Sequence, residues 1–433
     1  MSSTIALTNH NSRLTKREDA VGYSLSSVIG MMLLIVAVNL TTFNFITDIE
    51  NQQFSVDWQT ALRLCVCAAC GLYGFAYLPC TLSELLRFPG AWATLFGLWG
   101  IATIPFSVSP MYATAGVFAL GCVTLFAPAV LVQLGGRKTV ETLLTGLFVF
   151  VGLNWFLYFA FPPLARSAFN KPDGEVIYRF GNDAQQLGLQ IAWALGFLLI
   201  LTLTRSRRWR SSFIPFVVLF ATLPLTQSRT AILSSIATLG VVSWQHMKGP
   251  QRALAVLGIL LLGVSAVAII GSDARKLDID FAARVISRSG EAEEIYNLTG
   301  RNVIWEHAWA RICESPVVGW GYGCSRFAMD DNELLFRPRI NHAHNLVLNV
   351  WLCMGFPGAL LLLAMFGHQF LRMLWRPSIV PSIAVAFVIV ASISEPVLFG
   401  PMPRSHTVIW LIALFWQQIG ERWTDDKNLS LEL

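Results

Sequence analysis

Long apolar runs separated by short polar joints make up most of the chain. About 20 mostly apolar residues suffice for a helix to cross the hydrocarbon core of a bilayer. Twelve such runs are present, near 24–43, 59–78, 90–108, 111–134, 140–162, 185–204, 212–227, 229–247, 253–271, 345–366, 378–400 and 406–420. Each predicts a helix, because backbone amides in lipid must pair within their own segment. The runs on either side of Ser228 are nearly continuous, and their combined length predicts two helices. The predicted class is an all-α polytopic membrane protein.

One segment breaks the rhythm. Residues 272–344 are long and polar. Inside them, "TGRNVIWEHAWARICESP" places Ile304, Ala308 and Ile312 on one helical stripe, with Trp305 and Trp309 beside it. Thr299 and Gly300 are suitable starts and Pro316 a suitable stop. Such an amphipathic helix either lies in the membrane interface or covers a cavity. The chain therefore divides into a polar tail (1–22), nine spans (23–271), a large loop (272–344), three spans (345–420) and a second tail (421–433).

Charge orients this layout. Lys and Arg favour the cytoplasmic side of short loops. Arg13, Lys16, Arg17, Arg137, Lys138, the cluster 205–210, Arg372 and Arg376 all fall on one side, together with both termini. That side is predicted to be cytoplasmic, and the 272–344 loop extracytoplasmic. Composition agrees, since 13% of residues are charged against about 25% in soluble domains. The net charge of +5 is spread over short clusters and forms no nucleic-acid footprint. The polar N-terminus does not have the pattern of a cleavable signal peptide.

Candidate chemistry gathers at the outer ends of the runs. Cys65, Cys67 and Cys70 lie inside an apolar run and read as small hydrophobes. A bridge between Cys313 and Cys324 in the loop is open if that compartment is oxidising. His344 stands at the mouth of the tenth run, either as a hydrated interfacial residue or as a proton acceptor. His342 shares its face if the segment is extended. A zinc site from these two with His307 or His406 matches no standard ligand spacing. Arg229, Arg179 and Arg301 also have two readings, snorkelling to headgroups or gripping a phosphate with the planar fork. Arg301 stands near a helix start, where backbone N–H groups attract anions. Glu395 is an ionisable residue inside a span, a functional candidate by default, or the partner of Arg404 or a loop arginine. The glycines of "GWGYG" lack the setting of a phosphate loop and suit a tight turn.

In order, "SRTAIL", "TGRNVIW", "GWGYG" and "HAHNLVLNVWLCMGFPG" resemble the bacterial O-antigen ligase and polysaccharide polymerase superfamily. The last has His344–Asn345, nine residues, then Gly355 and Gly358. The resemblance implies a GT-C-like, metal-independent, inverting glycosyltransferase without cofactors. It would work at the periplasmic face of the bacterial inner membrane, with a glycan on undecaprenyl diphosphate as donor. Arg229 and Arg301 would hold the diphosphate, with Arg179 as a helper. His344 would be base or orienter, with His342 and Asn345 beside the substrate. The acceptor is a second glycan in a polymerase or the lipid A core in a ligase. The loop resembles the exopolysaccharide polymerase branch more closely. Other polysaccharide export proteins are expected partners. A twelve-helix transporter is the competing class, although no paired halves are visible.

Overall fold

A computed structural model of the chain describes residues 24–40, 58–170, 176–181, 183–204, 209–247, 249, 301–329 and 342–423. The ninth apolar run, residues 272–300 of the loop, the N-terminal tail and most of the C-terminal one lie outside the described residues. Helices occupy the other eleven runs. The first three runs are filled by α1 (Leu25–Leu40), α2 (Trp58–Ala76) and α4 (Gly90–Thr103), and an additional short helix α3 (Leu78–Leu86) lies between the second and third. The runs 111–134 and 140–162 join as α5 (Pro110–Ala160), which leaves helical geometry at Gly135. Then come α6 (Ala184–Leu203), α7 (Trp209–Leu225) and α8 (Arg229–His246). The loop contributes α9 (Arg301–Glu314) and the single turn α10 (Ser325–Ala328). The chain ends with α11 (Leu346–Trp375), α12 (Ile379–Ser392) and α13 (Ser405–Trp423).

Four of these, α2, α5, α6 and α11, are long and apolar enough to cross a membrane, and five shorter apolar helices accompany them. Every residue from Gln186 to Leu198 of α6 is buried, so this helix is the rod around which others pack. It touches α5, α7, α8 and α12, while α5 gathers α1, α2 and α13. Trp193 of α6 packs against Phe387 of α12, with ring centroids 4.2 Å apart.

Two departures from the expected layout matter. The class is not purely helical, because β1 (Arg166–Asn170) and β2 (Val176–Phe180) form an antiparallel hairpin. "VIYRF" preceded by "KPDG" has the composition of a turn and strand, a signal hidden by the dominance of helical runs. The run 378–400 stops being helical at Ser392. Pro396 disfavours helical geometry at Glu395, and residues 393–404 form a loop across the end of the bundle.

The expected amphipathic helix exists as α9. Ala308 and Ile312 are buried, and Ile304 packs with them, against Ala328, Ala343 and Leu352. The helix therefore packs on α11. "GWGYG" docks into a break in α11. At Gly355 the helix opens (φ 66°), and a Cβ there would collide with the Val317 carbonyl. The freed groups are met by the loop: Trp320 N donates to Leu352 O (2.9 Å), Gly321 N to Cys353 O (2.8 Å), and Phe356 N to Pro316 O (2.8 Å).

Candidate active site

Asn345 opens α11. Its Oδ1 accepts the Leu348 N–H at 3.1 Å, an ordinary N-cap. His344 therefore stands just outside the helix, with φ +48°, a left-handed conformation that costs a residue with a Cβ about 1–2 kcal/mol. Buried Asn349 steadies the turn by accepting the Ala343 N–H at 3.3 Å. The turn brings the His342 and His344 rings to 4.2 Å from each other.

Both imidazoles meet Glu395 in the 393–404 loop. Its Oε1 lies 3.2 Å from His344 Nδ1 and 3.2 Å from Arg301 Nη2, and its Oε2 lies 3.5 Å from His342 Nε2. The carboxylate is 8% exposed, whereas the three cationic or imidazole partners are 25–29% exposed. The cluster is thus sealed behind Glu395 and open in front. An ionised carboxylate only accepts hydrogen bonds, so the proton of a neutral His344 ring sits on Nδ1 and the lone pair on Nε2. Burial would raise the Glu395 carboxyl. The hydrogen bonds from His342 and His344 outweigh it and hold that carboxyl well below the usual carboxylate range. Burial also pushes the His342 imidazole below its ordinary value, against the upward pull of Glu395.

Arg229 is the first residue of α8, whose cap Ser228 accepts the Ala231 N–H at 3.3 Å. The next residue, Thr230, shares a 2.6 Å hydroxyl contact with Ser394, the neighbour of Glu395. The start of α8 and the histidine cluster therefore stand at the same end of the bundle. Gly188 of α6 lets the start of α8 pack closely on α6, since a Cβ there would come 2.7 Å from that of Ala231. Arg179, on β2, donates from Nε to the Thr226 carbonyl at 3.0 Å and so braces the turn that carries Arg229. Asp183 caps α6 by accepting the Gln186 N–H at 3.1 Å. Burial pushes its carboxyl up, against the fields of Arg404 and Arg179 and with that of Glu395. Three non-glycine residues among those described have left-handed backbones, Gln227, His344 and Phe399. Each lies on one of the segments that frame this site, where backbone strain tends to collect.

With this geometry in place, one comparison bears on the matter. Residues 214–363 match the family model described as O-antigen ligase. This stretch is similar to the O-antigen ligase family. No curated protein matches the chain. The matched region takes in Arg229, Arg301, His342 and His344, and the match supports the O-antigen ligase and polymerase superfamily. Arg179 and Glu395 fall outside it, although Glu395 is the group on which the cluster converges.

The other candidate residues each have definite surroundings. Asn345 is occupied as a cap, and its Nδ2 points to the Ile393 carbonyl at 3.4 Å, so it ties the 393–404 loop to α11. His406 is buried in the bundle, its Nδ1 accepting the Trp193 indole N–H at 3.1 Å and its Nε2 facing Gln186 Oε1 at 2.8 Å. It is committed away from the His342–His344 pair. Glu395 pairs with the loop arginine Arg301. Cys313 and Cys324 are both free, the first exposed and the second buried. Asp183 escaped the sequence reading, although an Asp directly before an apolar run is an N-cap signal.

Proposed function

We propose that this chain is a metal-independent, inverting glycosyltransferase of the GT-C-like type, working at the periplasmic face of the bacterial inner membrane. The donor is a glycan on undecaprenyl diphosphate, and the product an extended exopolysaccharide or surface polysaccharide. The convergence of His344, His342 and Arg301 on Glu395, beside the helix start that bears Arg229, carries this reading. Both termini are cytoplasmic in this proposal, which the basic short loops support.

The chemistry follows from the groups present. An acceptor hydroxyl attacks the anomeric carbon from the side opposite the diphosphate. The new C–O bond forms as the sugar–phosphate C–O bond breaks, so the configuration inverts. The electron pair leaves on the diphosphate oxygen, where fixed guanidinium groups at Arg229 and Arg301 stabilise the developing charge. The hydroxyl proton passes to Nε2 of His344, and the carboxylate of Glu395 steadies the imidazolium that results. Arg179 acts one step back, through the turn that aims Arg229, and His342 holds the second oxygen of Glu395.

A second reading has an observation of its own: the matching family is described as O-antigen ligase, which favours the lipid A core as acceptor. Purified protein incubated with lipid-linked oligosaccharide separates the two. A ladder of longer lipid-linked chains is the expected result. Growth seen only on adding lipid A core would select the ligase, and no transfer in either case would reject both.

A further inference from the structure

His342, His344 and Glu395 also have the composition and spacing of a transition-metal site. Their donor atoms all lie within 4.8 Å of one another. Zinc bonds of about 2.0–2.2 Å in a tetrahedron put neighbouring ligand atoms roughly 3.3–3.5 Å apart. The two shortest separations are 3.2 Å for His344 Nδ1 to Glu395 Oε1 and 3.5 Å for His342 Nε2 to Oε2, each to its own carboxylate oxygen, so a small turn of the carboxylate brings one oxygen to both imidazoles. Two ligands come from one short segment and the third from a loop 51 residues away. The carboxylate is at the closed back of the cluster, so a fourth position faces the open side. Two imidazoles with one carboxylate suit zinc or cobalt, whereas magnesium and calcium prefer oxygen ligands throughout.

We propose that this cluster binds one divalent transition ion of the zinc type, and that occupancy switches transfer off. The second half rests on the role given to His344 above. For proton acceptance, His344 must carry its proton on Nδ1 and present Nε2. A metal takes the Nδ1 lone pair and forces the proton onto Nε2, so the bound ion imposes the wrong tautomer. It also takes Glu395 from Arg301. That guanidinium, 3.2 Å from Oε1, repels an added cation, so the ion is exchangeable and responds to its concentration outside the membrane. Removing the guanidinium should strengthen binding.

The test uses the full-length protein in detergent, stripped of metal and titrated with Co²⁺ and then Zn²⁺. Cobalt bound at a four-coordinate site of nitrogen and oxygen ligands shows visible absorption that six-coordinate cobalt nearly lacks. One equivalent bound in the wild type is expected, with at least tenfold weaker binding in Glu395→Gln and His342→Ala and tighter binding in Arg301→Gln. Circular dichroism and gel filtration check each fold, and the isosteric Glu395→Gln carries the test if His342→Ala misfolds. Absence of binding, or binding unchanged by Glu395→Gln, overturns the site. Zinc should halve transfer at the concentration that half-fills the site, with reversal by a chelator. Binding without inhibition overturns the switch and removes His344 as the proton acceptor, while leaving the metal site in place.

Discussion

At the residue scale, one buried carboxylate organises several groups that read as separate candidates along the chain. Glu395 accepts from two imidazoles and a guanidinium at once, which sets the tautomer of His344 and the direction of Arg301. His344→Ala should lower transfer by roughly 10²–10⁴-fold while the protein stays folded by circular dichroism; full activity would exclude it as base. Arg301→Lys should not restore donor use, because an ammonium is a point charge and cannot hold Glu395 and a phosphate with a planar fork. Donor titration in the variant checks this. Glu395 also makes stability depend on pH. Its folded carboxyl binds a proton more weakly than the unfolded one. The stabilisation is thus fully present above the unfolded value of about 4.3 and is lost as pH falls towards the folded value. The melting-temperature gap between wild type and Glu395→Gln should therefore be widest above about pH 5 and shrink in acid.

At the element scale, helix ends and helix breaks do the positioning. Asn345 starts α11 and Gly355 interrupts it, so the two ends of the "HN…G" spacing are a cap and a docking notch. The notch receives residues 316–321 of the loop, and α9 packs alongside on α11. Gly355→Ala combines an unfavourable left-handed backbone with a collision at Val317. It should cost about 1–3 kcal/mol, seen as a lower melting temperature together with lost activity. Gly188 does a similar service for α8. Gly188→Val should push the Arg229 turn outward, which should raise KM for the lipid donor more than it lowers kcat. Equal effects on both constants would count against that role. The hairpin belongs here as well: its Arg179 braces the same turn from the other side.

At the scale of the whole molecule, a central helix buried on all sides, α6, lets segments far apart in the chain meet at one end of the bundle. If that end faces the periplasm, a cysteine introduced at exposed Val303 of α9 should react with a membrane-impermeant maleimide added to intact spheroplasts. Labelling only after lysis would invert the topology. The run pattern was legible because a bilayer demands apolar length and internal hydrogen bonding, both local properties of sequence. Helix positions, the amphipathic stripe of α9, the glycine turn and the interest of His344 and Arg301 all followed from such local rules. Which groups touch did not. Glu395 could be read as a structural ion pair or a functional acid, and His406 as a neighbour of His344, until α6 and α11 set their positions. Asn345 also caps α11, because the unpaired amides of a helix start need an acceptor. The sequence by itself determined a helical membrane protein. Only the tertiary structure decided that His342, His344 and Arg301 share one carboxylate, since such contacts join residues up to 94 positions apart, whose meeting depends on how the helices pack and not on any local pattern.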